Sequence, residues 1–258
     1  MAPPAMMWTV NARDDAADGL TVVELLVALS VAAVLALLAL TASRKVGNQA
    51  KAVTNVSNLR QIAAGLIGYA NDHDSRLPYN SIRGPDGSGY QTFYTRQLAQ
   101  TGYVADGTIF FSPWGEKWWT APAARLAALR NPALDSSLPW SSPAYGANSE
   151  GAMPTSPSTT SAKNCAQLSQ VGARGDLSKL MILRDVYNPN TADKGGGMIR
   201  FAGGSASAYI PKPEHRAGYR FIQAAFADGH VEIFTPEEIA RFEEAATQPP
   251  YCNKVYTR

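Results

Sequence analysis

A single carboxylate, Glu24, sits inside an apolar run from Gly19 to Leu40, G-L-T-V-V-E-L-L-V-A-L-S-V-A-A-V-L-A-L-L-A-L. An acid near the start of a membrane-length helix costs about 2.5–3.5 kcal/mol on insertion scales, so its default reading is a functional group with a partner. Elsewhere, His215, Asp228 and His230 offer two imidazoles and a carboxylate, a set that could hold zinc with one position open. Asp72 and Asp74 form a D-x-D pair beside His73, but calcium needs six to eight oxygens and the chain has no acidic loop with a closing Glu there. Cys165 and Cys252 match no metal spacing; in an oxidising compartment they could form one disulfide, and otherwise they are two half-buried thiols. The chain contains no H-E-x-x-H, G-x-S-x-G or phosphate-loop motif. The expectation is therefore a non-enzyme with no metal and no cofactor.

The elements that carry these residues can be read from periodicity. The run from Gly19 to Leu40 is about 20 residues long, enough for a helix to cross a bilayer and too long for a typical signal-peptide core. No proline interrupts the chain between Leu40 and Tyr69. Val53, Val56, Leu59, Ile62, Ala63, Leu66 and Ala70 recur at spacings of three and four, the apolar stripe of an amphipathic helix. A helix from Leu20 to about Tyr69 would be roughly 75 Å long. Gly47, Gly65 and Gly68 weaken it and mark places for local bends. The segment Tyr69 to Pro78, rich in Asn and Asp, ends it.

Residues 79–160 are irregular. Gln91 to Tyr103 and Ala121 to Leu129 read as short helices, Thr108-Ile109-Phe110-Phe111 as a short strand, and Ala144-Tyr145-Gly146-Ala147-Asn148 as a turn. Trp114, Trp118 and Trp119 form either a binding patch or, more in keeping with Trp in a loop-rich domain, buried packing. The last third is more regular. Leu180 to Leu183, Met198 to Ala202 and Tyr219 to Phe226 read as strands. Asp228-Gly229 predicts a type I′ hairpin between Phe221–Ala227 and His230–Phe234. Thr235-Pro236-Glu237-Glu238 is a capping box that starts a helix running to about Ala246.

Gly19, Leu20-Thr21-Val22-Val23-Glu24 and the apolar helix behind them resemble the N-terminus of type IV prepilins and type II secretion pseudopilins. The resemblance implies cleavage by a prepilin peptidase between Gly19 and Leu20 and methylation of the new amine on Leu20. That amine would lie four residues before Glu24, about one helical turn. In a filament it could neutralise the Glu24 of a neighbouring subunit, so that both charges leave water as a pair. A second resemblance joins His215 and Phe226-Ala227-Asp228-Gly229-His230-Val231 to a pseudopilin-like group with a C-terminal His…Asp-Gly signature. Twelve residues separate His215 from Asp228 here, where the group usually has nine. Tyr69 to Pro78 and the Tyr145-Gly146-Ala147-Asn148 segment also fit that group.

The chain has 258 residues and a net charge of +2; removing residues 1–19, with one Arg and three Asp, raises this to +4. So mild a charge gives little grip on nucleic acid, and none is expected as a partner. Arg13 faces Asp14, Asp15 and Asp18 in the leader, while Arg44, Lys45 and Lys51 lie beyond the apolar run. A count of basic residues would put the C-terminal side in the cytoplasm, whereas the resemblance puts it outside, and the reading adopts the motif. The expected fold is α+β and pilin-like, a long N-terminal helix packed on a C-terminal antiparallel sheet. Its parts are a leader (1–19), a transmembrane and filament-core helix (20–43), an amphipathic continuation (44–74) and an extracytoplasmic globular domain (75–258). The implied protein is a pilin or pseudopilin subunit of the inner membrane, with its N-terminus cytoplasmic and its domain periplasmic. Its implied partners are the prepilin peptidase, other pilin or pseudopilin subunits and the inner-membrane assembly platform. The alternative is a membrane-anchored extracytoplasmic binding domain that never polymerises.

Overall fold

The structure is a computed structural model that describes residues 21–83, 90–114, 130, 145–148, 152–153, 167–173, 177–187, 198–199, 211–216 and 218–239. Ala121 to Leu129, Trp118, Trp119 and the end of the C-terminal helix read from the sequence lie outside the described residues. The chain divides into two compact units, Met1–Gly47 and Asn48–Arg258.

Helix α1 (Val22–Asp72) begins and ends within three residues of the bounds read from periodicity. In the first unit, every residue of it from Val22 to Gly47 is exposed. In the second unit it is amphipathic, burying Asn55, Leu59, Ile62, Ala63, Gly65, Leu66 and Ala70. Val53 was expected on this face but is 71% exposed, and a polar residue, Asn55, is buried in its neighbourhood instead. The helix stops where the chain enters left-handed backbone at Asp74 and Ser75 (φ 51° and 60°). Asp tolerates that conformation better than most residues.

A small antiparallel hairpin, β1 (Ser81–Arg83) with β2 (Tyr90–Phe93), leads directly into α2 (Tyr94–Gln100). The helix read at Gln91–Tyr103 is thus shorter, because its first residues pair as a strand. The expected strand at Thr108–Phe111 is instead a 3₁₀ turn, Gly107–Phe110. Asp106 starts it, accepting the Thr108 N–H at 2.9 Å, a local bond that favours a turn over an extended ladder. Gly65 and Gly68 of α1 serve close packing. A Cβ on Gly65 would lie 3.0 Å from Val104 Cγ2 and 3.1 Å from the Tyr103 carbonyl oxygen, and one on Gly68 would lie 3.3 Å from the Tyr103 ring. The loop after α2 therefore docks into a notch in the helix that any side chain would fill.

The main sheet has the order β5-β3-β4-β6-β7, comprising β3 (Tyr145–Asn148), β4 (Met181–Asp185), β5 (Met198–Ile199), β6 (Ile222–Phe226) and β7 (Val231–Phe234). Short helix α3 (Leu168–Gly172) precedes β4. All pairings are antiparallel except β3 with β5, which is parallel. The segment at 145–148 is therefore a strand and not a turn. All of β3, β4 and β6 is buried. Leu59, Ile62, Ala63 and Leu66 of α1 share one core with Tyr145, Ala147, Leu183 and Ala225 of the sheet. The coarse architecture, a long helix and a C-terminal sheet with mainly antiparallel pairing, is that of an α+β protein.

Candidate functional site

Glu24 lies in the first turn of α1, and its partner is close at hand. Thr21 is the N-cap residue. The Thr21 N–H and hydroxyl both donate to Glu24 Oε2 at 2.9 Å, and the Glu24 N–H donates to Thr21 Oγ1 at 3.2 Å. This is a reciprocal capping box, which satisfies helix-terminal N–H groups that otherwise lack partners. Further along, Ser30 donates to the Leu26 carbonyl, Thr41 to Leu38 and Ser43 to Ala39. Every hydroxyl between residues 21 and 43 is thus bonded within its own helix, as a helix surrounded by hydrocarbon requires. The rest of the surface is apolar. Its twelve Val and Leu side chains from Val22 to Leu40 are all more than half exposed. This is the only described helix long and apolar enough to span a membrane. Gly19 and Leu20, the expected processing site, lie outside the described residues, as do Cys165 and Cys252.

The Asp-Gly signature forms the β6–β7 hairpin, but not as the type I′ turn expected. Phe226 donates its N–H to the His230 carbonyl, and Gly229 donates to Phe226, leaving a three-residue loop. Only Gly229 of that loop has positive φ (+90°). This is a type I turn followed by a left-handed glycine, the G1-bulge hairpin. Asp228 braces it by accepting the His230 backbone N–H at 3.1 Å, and its Oδ1 meets His230 Nδ1 at 2.5 Å. The His230 ring stacks on Phe226 with centroids 4.4 Å apart. The turn lies against α1, and a Cβ at Gly229 would make only ordinary contact with Ile67 Cδ1 at 3.5 Å, so it is the positive φ that calls for glycine. His215 belongs to the 3₁₀ turn Pro213–Arg216; its side chain is outside the described residues. Asp72 accepts the Tyr103 hydroxyl at 2.6 Å, and His73 Nδ1 lies 2.7 Å from the Tyr69 carbonyl oxygen. Among the described residues, no three His, Cys, Asp or Glu side chains are placed to hold a metal ion.

A third constellation escaped the sequence reading. Beneath α1 lies a buried polar cluster drawn from one helix, three strands and a 3₁₀ turn. Asn55 Nδ2 donates to Asp185 Oδ1 at 2.8 Å and to Gln223 Oε1 at 2.6 Å, while the Tyr145 hydroxyl donates to Asn55 Oδ1 at 2.7 Å. Asp185 Oδ2 accepts the Gln223 N–H at 2.8 Å and pairs with Arg216 at 3.2 Å. Arg216 in turn donates to the Phe221 carbonyl and lies over the Trp114 ring, 4.9 Å from its centroid. Trp114 is buried and stacks on Tyr219, so the first of the three tryptophans is packing and not an open patch. The usable signal was Asn55 itself, which shares the four-and-seven spacing of Leu59 and Ile62.

Burial holds the Tyr145 hydroxyl well above the ordinary tyrosine range, and the neighbouring Asp185 adds to this; burial alone does the same for Tyr94. A raised folded-state pKa gives stability that is complete below the unfolded value, about 10, and is lost as pH rises above it. Two such tyrosines should steepen base unfolding by about 2.7 kcal/mol per pH unit above 10. Urea titrations of the full chain in mild detergent at pH 9, 10 and 11 measure this, and Tyr94→Phe should lower the slope.

The chain matches no family model, no curated protein and no solved structure.

Proposed function

We propose that this protein is a pilin-like structural subunit, stored in a membrane through α1 and assembled into a type II secretion pseudopilus or type IV pilus-like filament after processing. The observation that carries the reading is the contrast along α1. From Val22 to Gly47 the helix is apolar and wholly exposed, while from Asn55 to Ala70 it buries one face in the globular unit. Covering the twelve exposed Val and Leu side chains is worth on the order of 20 kcal/mol, so this half of the helix belongs in lipid or among other helices. Its hydroxyls are bonded within the helix, which suits either setting. The Gly19–Glu24 motif supports the filament over a plain anchor, because the helix cap alone would be served as well by glutamine, without the cost of an acid in an apolar run.

In this reading Leu20 becomes the methylated N-terminus, Leu20 to Leu40 forms the filament core, and the globular unit faces outward from the inner membrane. The partners are the prepilin peptidase, other subunits of the same kind and the assembly platform. The protein is an interaction module and not a catalyst. Replacing Gly19 with valine should block cleavage, leaving the 19-residue leader attached and keeping the subunit in membranes and out of sheared filaments. Normal-size mature protein from Gly19→Val would contradict the assignment of the processing site.

A further inference from the structure

The cluster around Asn55 breaks the rule that governs the rest of α1. Two residues earlier the helix offers Val53, an apolar side chain left 71% exposed, while Asn55 is completely buried. Apolar patterning alone would reward placements of the helix that bury Val53 or Val56. A stripe of Val, Leu, Ile and Ala carries no directional group, so apolar contacts specify the placement of the helix on the sheet less sharply than polar ones do, while the Gly65–Gly68 notch positions it against the loop at Tyr103 and Val104. The polar contacts are not interchangeable. Asn55 uses its amide N–H₂ on Asp185 and Gln223 and its amide oxygen on the Tyr145 hydroxyl, joining β4, β6 and β3 at one point. Gln223 Nε2 also donates to the α1 backbone at the Ala52 carbonyl, 3.1 Å away. Displacing the helix so that Ala52 or Leu59 took the place of Asn55 would strand the buried Asp185 and Gln223 groups facing an apolar side chain, and buried polar groups without partners are costly.

We infer that the Asn55–Tyr145–Asp185–Gln223 cluster is a register lock that selects one placement of α1 on the sheet from several that the apolar stripe allows. A single buried asparagine fixing helix register is the best-attested use of buried polarity between helices; here the partner is a sheet. Arg216 belongs to the lock indirectly, since it balances the Asp185 charge and leaves that carboxylate free to face Asn55. The lock requires only the described packing of α1 on β3, β4 and β6, so it stands whether or not the protein forms a filament.

The test is a distance measurement on the full chain in detergent. With Cys165 and Cys252 changed to serine, spin labels at two exposed positions, Arg60 on α1 and Ile233 on β7, should give one narrow distance distribution. The double change Asn55→Leu/Tyr145→Phe removes the bonds that Asn55 makes to β3, β4 and β6 and leaves the one from Gln223 to the Ala52 carbonyl. It leaves Asp185 paired with Arg216 and bonded to the Gln223 N–H, and Gln223 bonded to Tyr219. The expected result is a second population whose distance differs by up to about 5.4 Å, one helical turn, in a protein that still unfolds cooperatively. A single distribution matching the parent in position and width would overturn the lock. Should the double variant not fold, Asn55→Ser, whose smaller side chain cannot reach Asp185, is read in the same way: broadening supports the proposal and an unchanged distribution overturns it.

Discussion

Replacing Asp185 with alanine is expected to destabilise the globular unit by about 3–5 kcal/mol, because it leaves the Arg216 guanidinium buried without its counter-charge. Arg216 is only 3% exposed and Asp185 fully buried, so water cannot readily take the carboxylate's place. The same change removes acceptors from Asn55 Nδ2 and from the Gln223 backbone N–H. Domains are stable by about 5–15 kcal/mol in all, so the loss is a large fraction of the total. It should appear as a lower urea midpoint for the full chain in mild detergent. Asp228→Ala, at the partly exposed hairpin turn, should cost no more than about 1 kcal/mol. The double change Asp185→Leu/Arg216→Met removes both charges together and should recover much of the loss, as replacement of buried ion pairs by apolar groups often does. Equal midpoints for Asp185→Ala and Asp228→Ala would mean that the buried pair contributes no more than a surface contact.

The second large effect concerns Glu24, where two roles compete. The structure gives it a local one: Thr21 and Glu24 form a capping box, and glutamine serves in that position as well as glutamate. The filament reading gives it a second role, as the counter-charge to a neighbour's N-terminal amine. Glu24→Gln separates the two. It keeps the cap and the helix start but removes the charge. Losing one partner of a desolvated interfacial charge pair costs about 2–5 kcal/mol, so incorporation into filaments should fall roughly 30-fold or more, while membrane insertion is unchanged or improved. Glu24→Val should lose both roles and assemble no better. Normal assembly of Glu24→Gln with failure of Glu24→Val would mean that the residue acts only through the helix cap.

The helix and the hairpin were legible in the sequence because each is specified by neighbours. The apolar run and the three-and-four spacing define α1 without help from distant residues. Asp228-Gly229 marked the turn between β6 and β7, although the left-handed residue is Gly229 alone and the loop is one residue longer than a type I′ turn. The capping box at Thr235 and Glu238 is present as expected, with the Thr235 N–H donating to Glu238 Oε2 at 2.8 Å. The same S/T-x-x-E pattern stands at Thr21 to Glu24 and was overshadowed there by the cost of an acid in an apolar run.

The features that could not be read locally depend on partners far along the chain. Tyr145-Gly146-Ala147-Asn148 has the composition of a turn, yet pairing with β4 on one side and β5 on the other makes it a central strand. Asn148 fits there because its side chain donates to the Met181 carbonyl. Asn55, Asp185, Arg216 and Gln223 each look like surface residues alone. Asn55 and Gln223 meet across 168 positions, and only the folded chain supplies the partners that make their burial affordable. Gly65 and Gly68 likewise read as weak points in a helix until Tyr103 and Val104 are seen against them.

The mass of the N-terminal peptide of the protein taken from its native membrane addresses the filament reading most directly. The expected result is a chain that opens at Leu20 with one methyl group on its amine. An intact leader, or a mature end anywhere other than Leu20, would contradict it and leave a membrane-tethered α+β domain in its place.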